Sequence, residues 1–230
     1  MSGIGVTFNR AFTASKPSTI CLPFDYTKKE GDGSFYAFTS IEHSGGEYIA
    51  TMTEPGTETL TANTPYLYLP SETGNVEFSG TPTTAIAAST TTSDDWTFQG
   101  TYDEVKWDTA PTGIYGFSAQ DVSDQSISQG EFVKVGAKVR IRPLRAYLKY
   151  KNGTENYSAA PTRGTTAELP DRIIVHLIGS DGNTTAIGTL DTRTGEVEID
   201  TWYDLNGRKL SAKPTHRGIY INNGRKVVIK

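Results

Sequence analysis

Residues 219–229 read Ile219-Tyr220-Ile221-Asn222-Asn223-Gly224-Arg225-Lys226-Val227-Val228-Ile229. An Asn-Gly pair between two runs of β-branched and aromatic residues is typical of a two-residue hairpin, because both residues tolerate the positive φ that such turns need. A two-residue loop predicts that Ile219 lies opposite Val228 and that Tyr220 lies opposite Val227. Both faces of this hairpin are then apolar, so it must pack against further strands.

The same strand pattern recurs upstream of this hairpin. Short runs of alternating apolar and polar residues, or of apolar residues fenced by Pro, predict strands. These runs cover residues 19–24, 34–41, 47–53, 65–70, 96–102, 113–117, 131–135, 137–142 and 172–178. The Thr/Ser-rich residues 85–95 show no period and predict a loop. No segment holds a helical period over three turns, and the 33 Thr residues also favour strands.

These runs predict an all-β protein, with a β-sandwich body over residues 1–180 and a small β-hairpin domain over residues 181–230. The parity of apolar positions switches at Pro143, which predicts an edge, a bulge or a bend there. In the tail, the hairpin at Asn223-Gly224 is expected to pack on four apolar side chains: Leu190, Val197, Ile199 and Trp202.

Composition and charge exclude several classes of protein. The chain has 230 residues, 36% of them hydrophobic, and no run of 18 apolar residues, so no membrane-spanning helix is expected. The net charge of −4 divides into +6 over residues 202–230 and −10 over the rest. The acidic body disfavours nucleic-acid binding, because it would repel phosphate. The basic end either contacts an anionic surface or is a solvated face.

Chemistry-bearing residues form no recognisable catalytic or metal-binding pattern. Cys21 is the only cysteine, is expected in the core and excludes an intrachain disulfide. The histidines His43, His176 and His216 lack ligand spacing. We therefore predict no catalytic residue, no metal site and no cofactor. Three carboxylate pairs leave a glycoside hydrolase as the weakest alternative, and the last pair leaves a calcium site open: Asp94-Asp95, Asp103-Glu104, and Asp121 with Asp124.

Aromatic residues suggest a second alternative, a carbohydrate-binding module. Trp96 and Phe98 share one face of an alternating run, which is the pattern of core residues. Trp107 lies among polar residues and is expected to be the most exposed aromatic side chain. With Tyr102 it would stack on a sugar ring.

Four internal motifs resemble segments that recur, in this order, in exported proteins of gut and oral Bacteroidetes. They are Ser18-Thr19-Ile20-Cys21-Leu22-Pro23-Phe24, Ala62-Asn63-Thr64-Pro65-Tyr66, Phe98-Gln99-Gly100-Thr101-Tyr102 and Arg145-Ala146-Tyr147. The end of the chain, from Trp202-Tyr203-Asp204-Leu205-Asn206-Gly207-Arg208 to Gly218-Ile219-Tyr220-Ile221 and Lys230, is similar to the tails of those proteins and to type IX secretion sorting domains.

The resemblance implies a non-catalytic module for display or interaction, located extracellularly or on the outer cell surface. The chain is expected to be a fragment of a longer exported protein, because it starts directly at a strand-like segment. Its partner stays open, with a glycan or a cell-surface component as the expected class. Asp108-Thr109-Ala110 is similar to the O-glycosylation acceptor of Bacteroidetes, which implies a glycan on Thr109.

Overall fold

The computed structural model describes residues 4–44, 47–83, 88–118, 129–151, 169–180, 184–190, 197–199, 202–203, 209–210, 217–222 and 225–229. Throughout these ranges the regular structure is β-strand, and they contain no helix. The predicted all-β class is therefore confirmed. No helix suited to crossing a membrane occurs in this part of the chain.

The strands are short and follow one another closely along the chain. In chain order they are β1 (Val6–Phe12), β2 (Ser18–Cys21), β3 (Tyr26–Thr27), β4 (Ser34–Ser44), β5 (Glu47–Thr53), β6 (Thr59–Leu60), β7 (Pro65–Leu69), β8 (Gly74–Gly80), β9 (Thr90–Ser93), β10 (Trp96–Thr101), β11 (Val105–Trp107), β12 (Ile114–Phe117), β13 (Phe132–Lys134), β14 (Val139–Ile141), β15 (Arg145–Tyr150), β16 (Arg172–Ile178), β17 (Thr184–Leu190), β18 (Val197–Ile199), β19 (Trp202–Tyr203), β20 (Lys209–Leu210), β21 (Gly218–Asn222) and β22 (Arg225–Ile229).

One large sheet holds most of these strands, in the order β2-β7-β4-β5-β16-β13-β12-β15-β10-β9, with β17 and β18 continuing from β16. Its pairs are antiparallel except β5 with β16, where Ile49 lies opposite Ile174. The sheet curls until β2 reaches β15. The Cys21 amide donates to the Leu144 carbonyl at 3.3 Å there, and the Ala146 amide donates to Thr19 Oγ1 at 3.1 Å. We call this junction the seam.

The curl encloses a central core, and two ribbons cover parts of its outer face. Leu67 of β7 packs in the central core, whereas its neighbours Tyr66 and Tyr68 point to the other face. There, the antiparallel ribbon β1–β8 covers an aromatic cluster. On the outer face of β12 and β15, the ribbon β11–β14 covers a smaller cluster that includes Tyr147. Alternate residues of one strand thus serve two different cores.

Several local predictions are confirmed. The runs at residues 47–53 and 172–178 are the strands β5 and β16. In β5 the side chains of Ala50 and Met52 are fully buried, as the alternation predicts. The parity switch at Pro143 is a bend between β14 of a ribbon and β15 of the large sheet, and Leu144 takes a φ of 60° to make it.

The loop predicted over residues 85–95 is wrong in part, because residues 90–93 form strand β9. This strand pairs with β10 at the end of the sheet path. A strand in this position needs no apolar face, and β-branched Thr residues favour the extended backbone, so the polar composition hid it. Residues 84–87 lie outside the described part.

The C-terminal strands form two separate pairings. Strand β17 pairs with β16, so the large sheet continues past residue 180. Strands β20-β19-β21-β22 form a four-stranded sheet, in which Ile219 lies opposite Val228 and Tyr220 opposite Val227. This register agrees with the spacing around Asn223-Gly224, although those two residues lie outside the described part. The two-layer sandwich and the domain division at residue 180 stay predictions.

Candidate functional site

Three of the four internal motifs meet through the side chain of Tyr102 at the seam. Its hydroxyl lies 2.7 Å from Asn63 Oδ1 and 3.1 Å from the Leu22 carbonyl oxygen, so it can donate to either acceptor. The Cys21 thiol donates to the Asn63 carbonyl at 3.2 Å. Asn63 has a φ of 64°, and its backbone amide donates to the Leu22 carbonyl at 2.6 Å. These contacts fix the backbone between β2 and β7.

Gly100 and Thr101 of the third motif, and Leu144 directly before the fourth motif, make further contacts at the seam. The backbone amide of Leu144 donates to the Thr101 carbonyl at 2.8 Å, and the carbonyl of Leu144 accepts the hydrogen bond from the Cys21 amide. Gly100 lies against the thiol so closely that a Cβ there would be 2.6 Å from Cys21 Sγ. The motif residues named here therefore hold the sheet closed. Tyr102, predicted as a sugar-stacking residue, is half-buried and has this structural role.

Beside the seam, two arginines converge on one serine. Arg145 Nη1 donates to Ser18 Oγ at 2.8 Å, and Arg10 Nη2 donates to the same oxygen. Arg10 Nη1 also donates to the Thr19 carbonyl at 3.1 Å, and its guanidinium lies 4.3 Å from the centroid of the Phe12 ring. Arg10, Ser18 and Arg145 are referred to below as the arginine-serine cluster.

The electrostatics of this cluster are unusual. Ser18 is buried, whereas both arginines are partly exposed. Burial lowers the pKa of Arg145 to about 10, because desolvation disfavours its charged form. Among the described residues, neither arginine is in an ion pair with a carboxylate. The cluster thus holds two cations side by side without a described counter-charge.

The predicted exposure of Trp107 is wrong. Its side chain is only 4% exposed, and its ring packs edge-on against Tyr147 with the centroids 5.6 Å apart. Trp107 ends β11, and the ribbon β11–β14 presses it onto the outer face of the large sheet. The polar neighbours that suggested exposure, Lys106, Asp108 and Thr109, are themselves exposed. A stacking role would require the ribbon to open.

Thr109 lies two residues beyond Trp107 and is exposed, as are its neighbours Asp108 and Ala110. The position is therefore accessible to a modifying enzyme. The modification itself stays a prediction.

One carboxylate of each described pair that suggested a hydrolase, Asp95 and Glu104, lies in a surface ion pair. Asp95 accepts hydrogen bonds from Lys151 and Tyr150, and the Lys151 contact lowers its pKa. Glu104 lies 3.0 Å from Lys106 Nζ, and this contact lowers its pKa too. A glycoside hydrolase needs one carboxylic acid with a raised pKa to act as the general acid. The lowered pKa values of Asp95 and Glu104 do not suit that role. Asp121 and Asp124 lie outside the described residues.

The histidines fall in separate places. His43 stacks on Tyr48 with centroids 4.6 Å apart, and burial lowers the pKa of His176 in β16. His216 lies outside the described part. Within the ranges that the structure describes, no three His, Cys, Asp or Glu residues come together in a way that could hold a metal ion.

The arginine-serine cluster was not predicted from the sequence, although β1 carried a signal for it. Phe8, Arg10 and Phe12 occupy alternate positions of one strand and therefore share a face. An arginine between two phenylalanines on a buried face calls for polar partners. Nothing in the sequence indicated that those partners are Ser18 and Arg145. The chain matches no protein-family model, no curated protein and no solved structure.

Proposed function

We propose that this chain is a non-catalytic module of a surface-exposed or secreted Bacteroidetes protein, used for display or for interaction with a glycan or cell-surface component. The observation that carries the proposal is the role of the internal motifs. Cys21, Asn63 and Tyr102 hydrogen-bond to one another or to neighbouring backbone, and Gly100 makes room for the thiol. Motif residues that hold a scaffold closed suit a module whose task lies in its outer surface.

The end of the chain is proposed to direct export. Its resemblance to sorting tails and its excess of seven basic residues over one acidic residue between Trp202 and Lys230 support this role. In the described part of the chain, no strand of the four-stranded sheet hydrogen-bonds to the large sheet. A segment without strand pairing to the body suits recognition by an export machinery.

The export proposal is tested in a Bacteroidetes host. The full chain and a version without residues 201–230 are produced behind a host signal peptide, and protease treatment of intact cells measures surface exposure. We expect the full chain on the surface or in the medium and the truncated chain in the periplasm. Equal delivery of both versions would refute the sorting role. Retention of both inside the cell would refute the surface location.

The glycan on Thr109 is tested in the same host. The exposed Thr109 is the proposed acceptor, and Thr112, three residues on, is also exposed and serves as the matched control. Intact-mass spectrometry of Thr109→Val should show loss of a glycan mass that Thr112→Val retains. An unmodified wild-type chain would refute this part of the proposal.

A further inference from the structure

The arginine-serine cluster crosses the seam, because Arg145 of β15 donates to Ser18 of β2, and Arg10 of β1 joins the same serine. Each arginine has a hydrogen-bond donor within about 3 Å of Ser18 Oγ, so the two donor nitrogens lie within about 6 Å of each other. We propose that Arg10, Ser18 and Arg145 form a binding site for a compact oxyanion: a sulfate, phosphate or carboxylate group. The site is independent of the proposed export role.

The donors of the cluster suit an oxyanion. Ser18 Oγ accepts from both arginines, which occupies its acceptor positions and leaves its own proton to donate. The one side-chain bond described for Arg145 and the two for Arg10 leave further N–H groups on each guanidinium. Guanidinium groups bind carboxylate, sulfate and phosphate oxygens through paired, charge-assisted hydrogen bonds. Three donor side chains therefore converge on one place.

The cluster is also held in position before any ligand arrives. Arg10 is fixed by its bond to the Thr19 carbonyl and by the Phe12 ring 4.3 Å from its guanidinium carbon. Ser18 is fixed within β2, opposite Tyr68 of β7. Because these groups are already ordered, binding an anion costs little further conformational entropy.

Charge balance supports the same conclusion. Two like charges in a partly buried place repel each other, and an anion between them would offset that repulsion. Some cations of the described chain have carboxylate partners, such as Lys151 with Asp95 and Lys134 with Asp171, whereas exposed ones such as Lys138 and Arg172 have solvent around them instead. In that same part of the chain, Arg10 and Arg145 have none. An anion bound from solution would supply the missing counter-charge.

The test measures binding of sodium sulfate, sodium phosphate and sodium acetate to the full chain at constant ionic strength. Side-chain NMR signals of the arginines report binding, and sodium chloride is the reference salt. We expect saturable shifts at Arg10 and Arg145, and a dissociation constant at least about tenfold larger in Arg145→Gln, since a charge-assisted bond is lost. Arg172→Gln removes a charge at an exposed position of β16 and should leave the constant unchanged.

The three anions distinguish the possible sources. Tighter binding of sulfate or phosphate indicates a sulfated sugar or a phosphate group, whereas tighter binding of acetate indicates a uronic acid or another carboxylate. If Arg145→Gln fails to fold, Arg10→Lys keeps the charge and loses the planar fork, so it should still weaken binding. Absence of saturable shifts in the wild-type chain would overturn the proposal. So would equal affinities of Arg145→Gln and Arg172→Gln, or of Arg10→Lys and the wild-type chain.

Discussion

Gly100 illustrates how one residue decides the closure of the seam. A methyl group there would lie 2.6 Å from Cys21 Sγ and 3.3 Å from Cys21 Cβ. We expect Gly100→Ala to lower the free energy of unfolding by about 1–3 kcal/mol, the usual cost of overpacking. Gly116→Ala is the matched control, because its Cβ would meet no atom closer than 3.6 Å. Urea denaturation at 25 °C measures both.

The same pair of residues provides a stricter check. Cys21→Ala removes the sulfur atom, so it should relieve the Gly100→Ala clash. The cost of Gly100→Ala should then be smaller in the Cys21→Ala background than in the wild-type chain, a coupling that a double-mutant cycle measures. Additive effects of the two substitutions would show that the contact between Gly100 and the thiol is not what limits this position.

The buried thiol makes stability depend on alkaline pH. Burial raises the pKa of Cys21 to about 11 from 9.0, a rise that the contact of the thiol with the Tyr102 hydroxyl, 3.8 Å away, partly opposes. Between these values the unfolded chain releases the proton and the folded chain keeps it, so the free energy of unfolding falls as pH rises. The expected loss is about 2–3 kcal/mol in total.

Denaturation of the wild-type chain and of Cys21→Ala at pH 8 and pH 11 measures this contribution. The wild-type chain should lose more stability over that interval, and its thiol should react with a disulfide reagent at pH 8 only after unfolding. A native thiol that reacts at the rate of a free cysteine would show that Cys21 is accessible. Equal losses in the two chains would show that the thiol does not contribute.

At the scale of single strands, the local pattern predicted the structure correctly where the alternation within one strand matches the burial of its side chains. Strand β5 alternates in sequence, and Ala50 and Met52 are buried accordingly. Strand β9 was missed because its Thr and Ser residues give no apolar alternation, although its partner β10 is the next strand along the chain. The exposure of Trp107 was predicted wrongly because its environment comes from a distant strand. Trp107 is buried by Tyr147, forty residues along the chain. The residues next to Trp107 in the sequence carry no information on such a distant partner.

Trp107 gives a prediction for the ribbon β11–β14. Truncating a buried aromatic side chain leaves a cavity, so Trp107→Ala should lower the free energy of unfolding by about 3–5 kcal/mol. Trp107→Phe keeps part of the contact with Tyr147 and should cost less. Lys106→Ala changes an exposed neighbour in the same strand and should stay within about 1 kcal/mol.

Denaturation midpoints of the three Trp107 and Lys106 variants test the structural role, and a glycan array tests the alternative. If Trp107→Ala keeps wild-type stability but loses binding to a sugar, the result would support the carbohydrate-binding alternative. The expected outcome is a Trp107→Ala chain that is less stable than the wild type and that still binds, while folded, any sugar that the wild-type chain binds.

At the scale of the whole molecule, the pairing of strands sets what can be removed. Strand β17 lies beyond residue 180 but pairs with β16, where His176 is opposite Ile187. The four-stranded sheet starts only at Trp202. The sequence indicated a change of composition toward the end of the chain, but it could not show where the large sheet stops, because sheet membership depends on long-range pairing.

Two truncations follow from this pairing. A chain ending at residue 200 keeps β17 and β18. The free energy of unfolding of its large sheet should therefore stay within about 1 kcal/mol of that in the full chain. A chain ending at residue 180 loses the partner of His176, Leu177 and Ile178. At about 1 kcal/mol per lost hydrogen bond, it should still fold but be about 1–3 kcal/mol less stable. The exposed edge of β16 should also make it more prone to aggregate.

Urea denaturation followed by circular dichroism measures both chains, and equal stabilities would show that β17 contributes nothing to the large sheet. A large loss already at residue 200 would instead show that the four-stranded sheet supports the body.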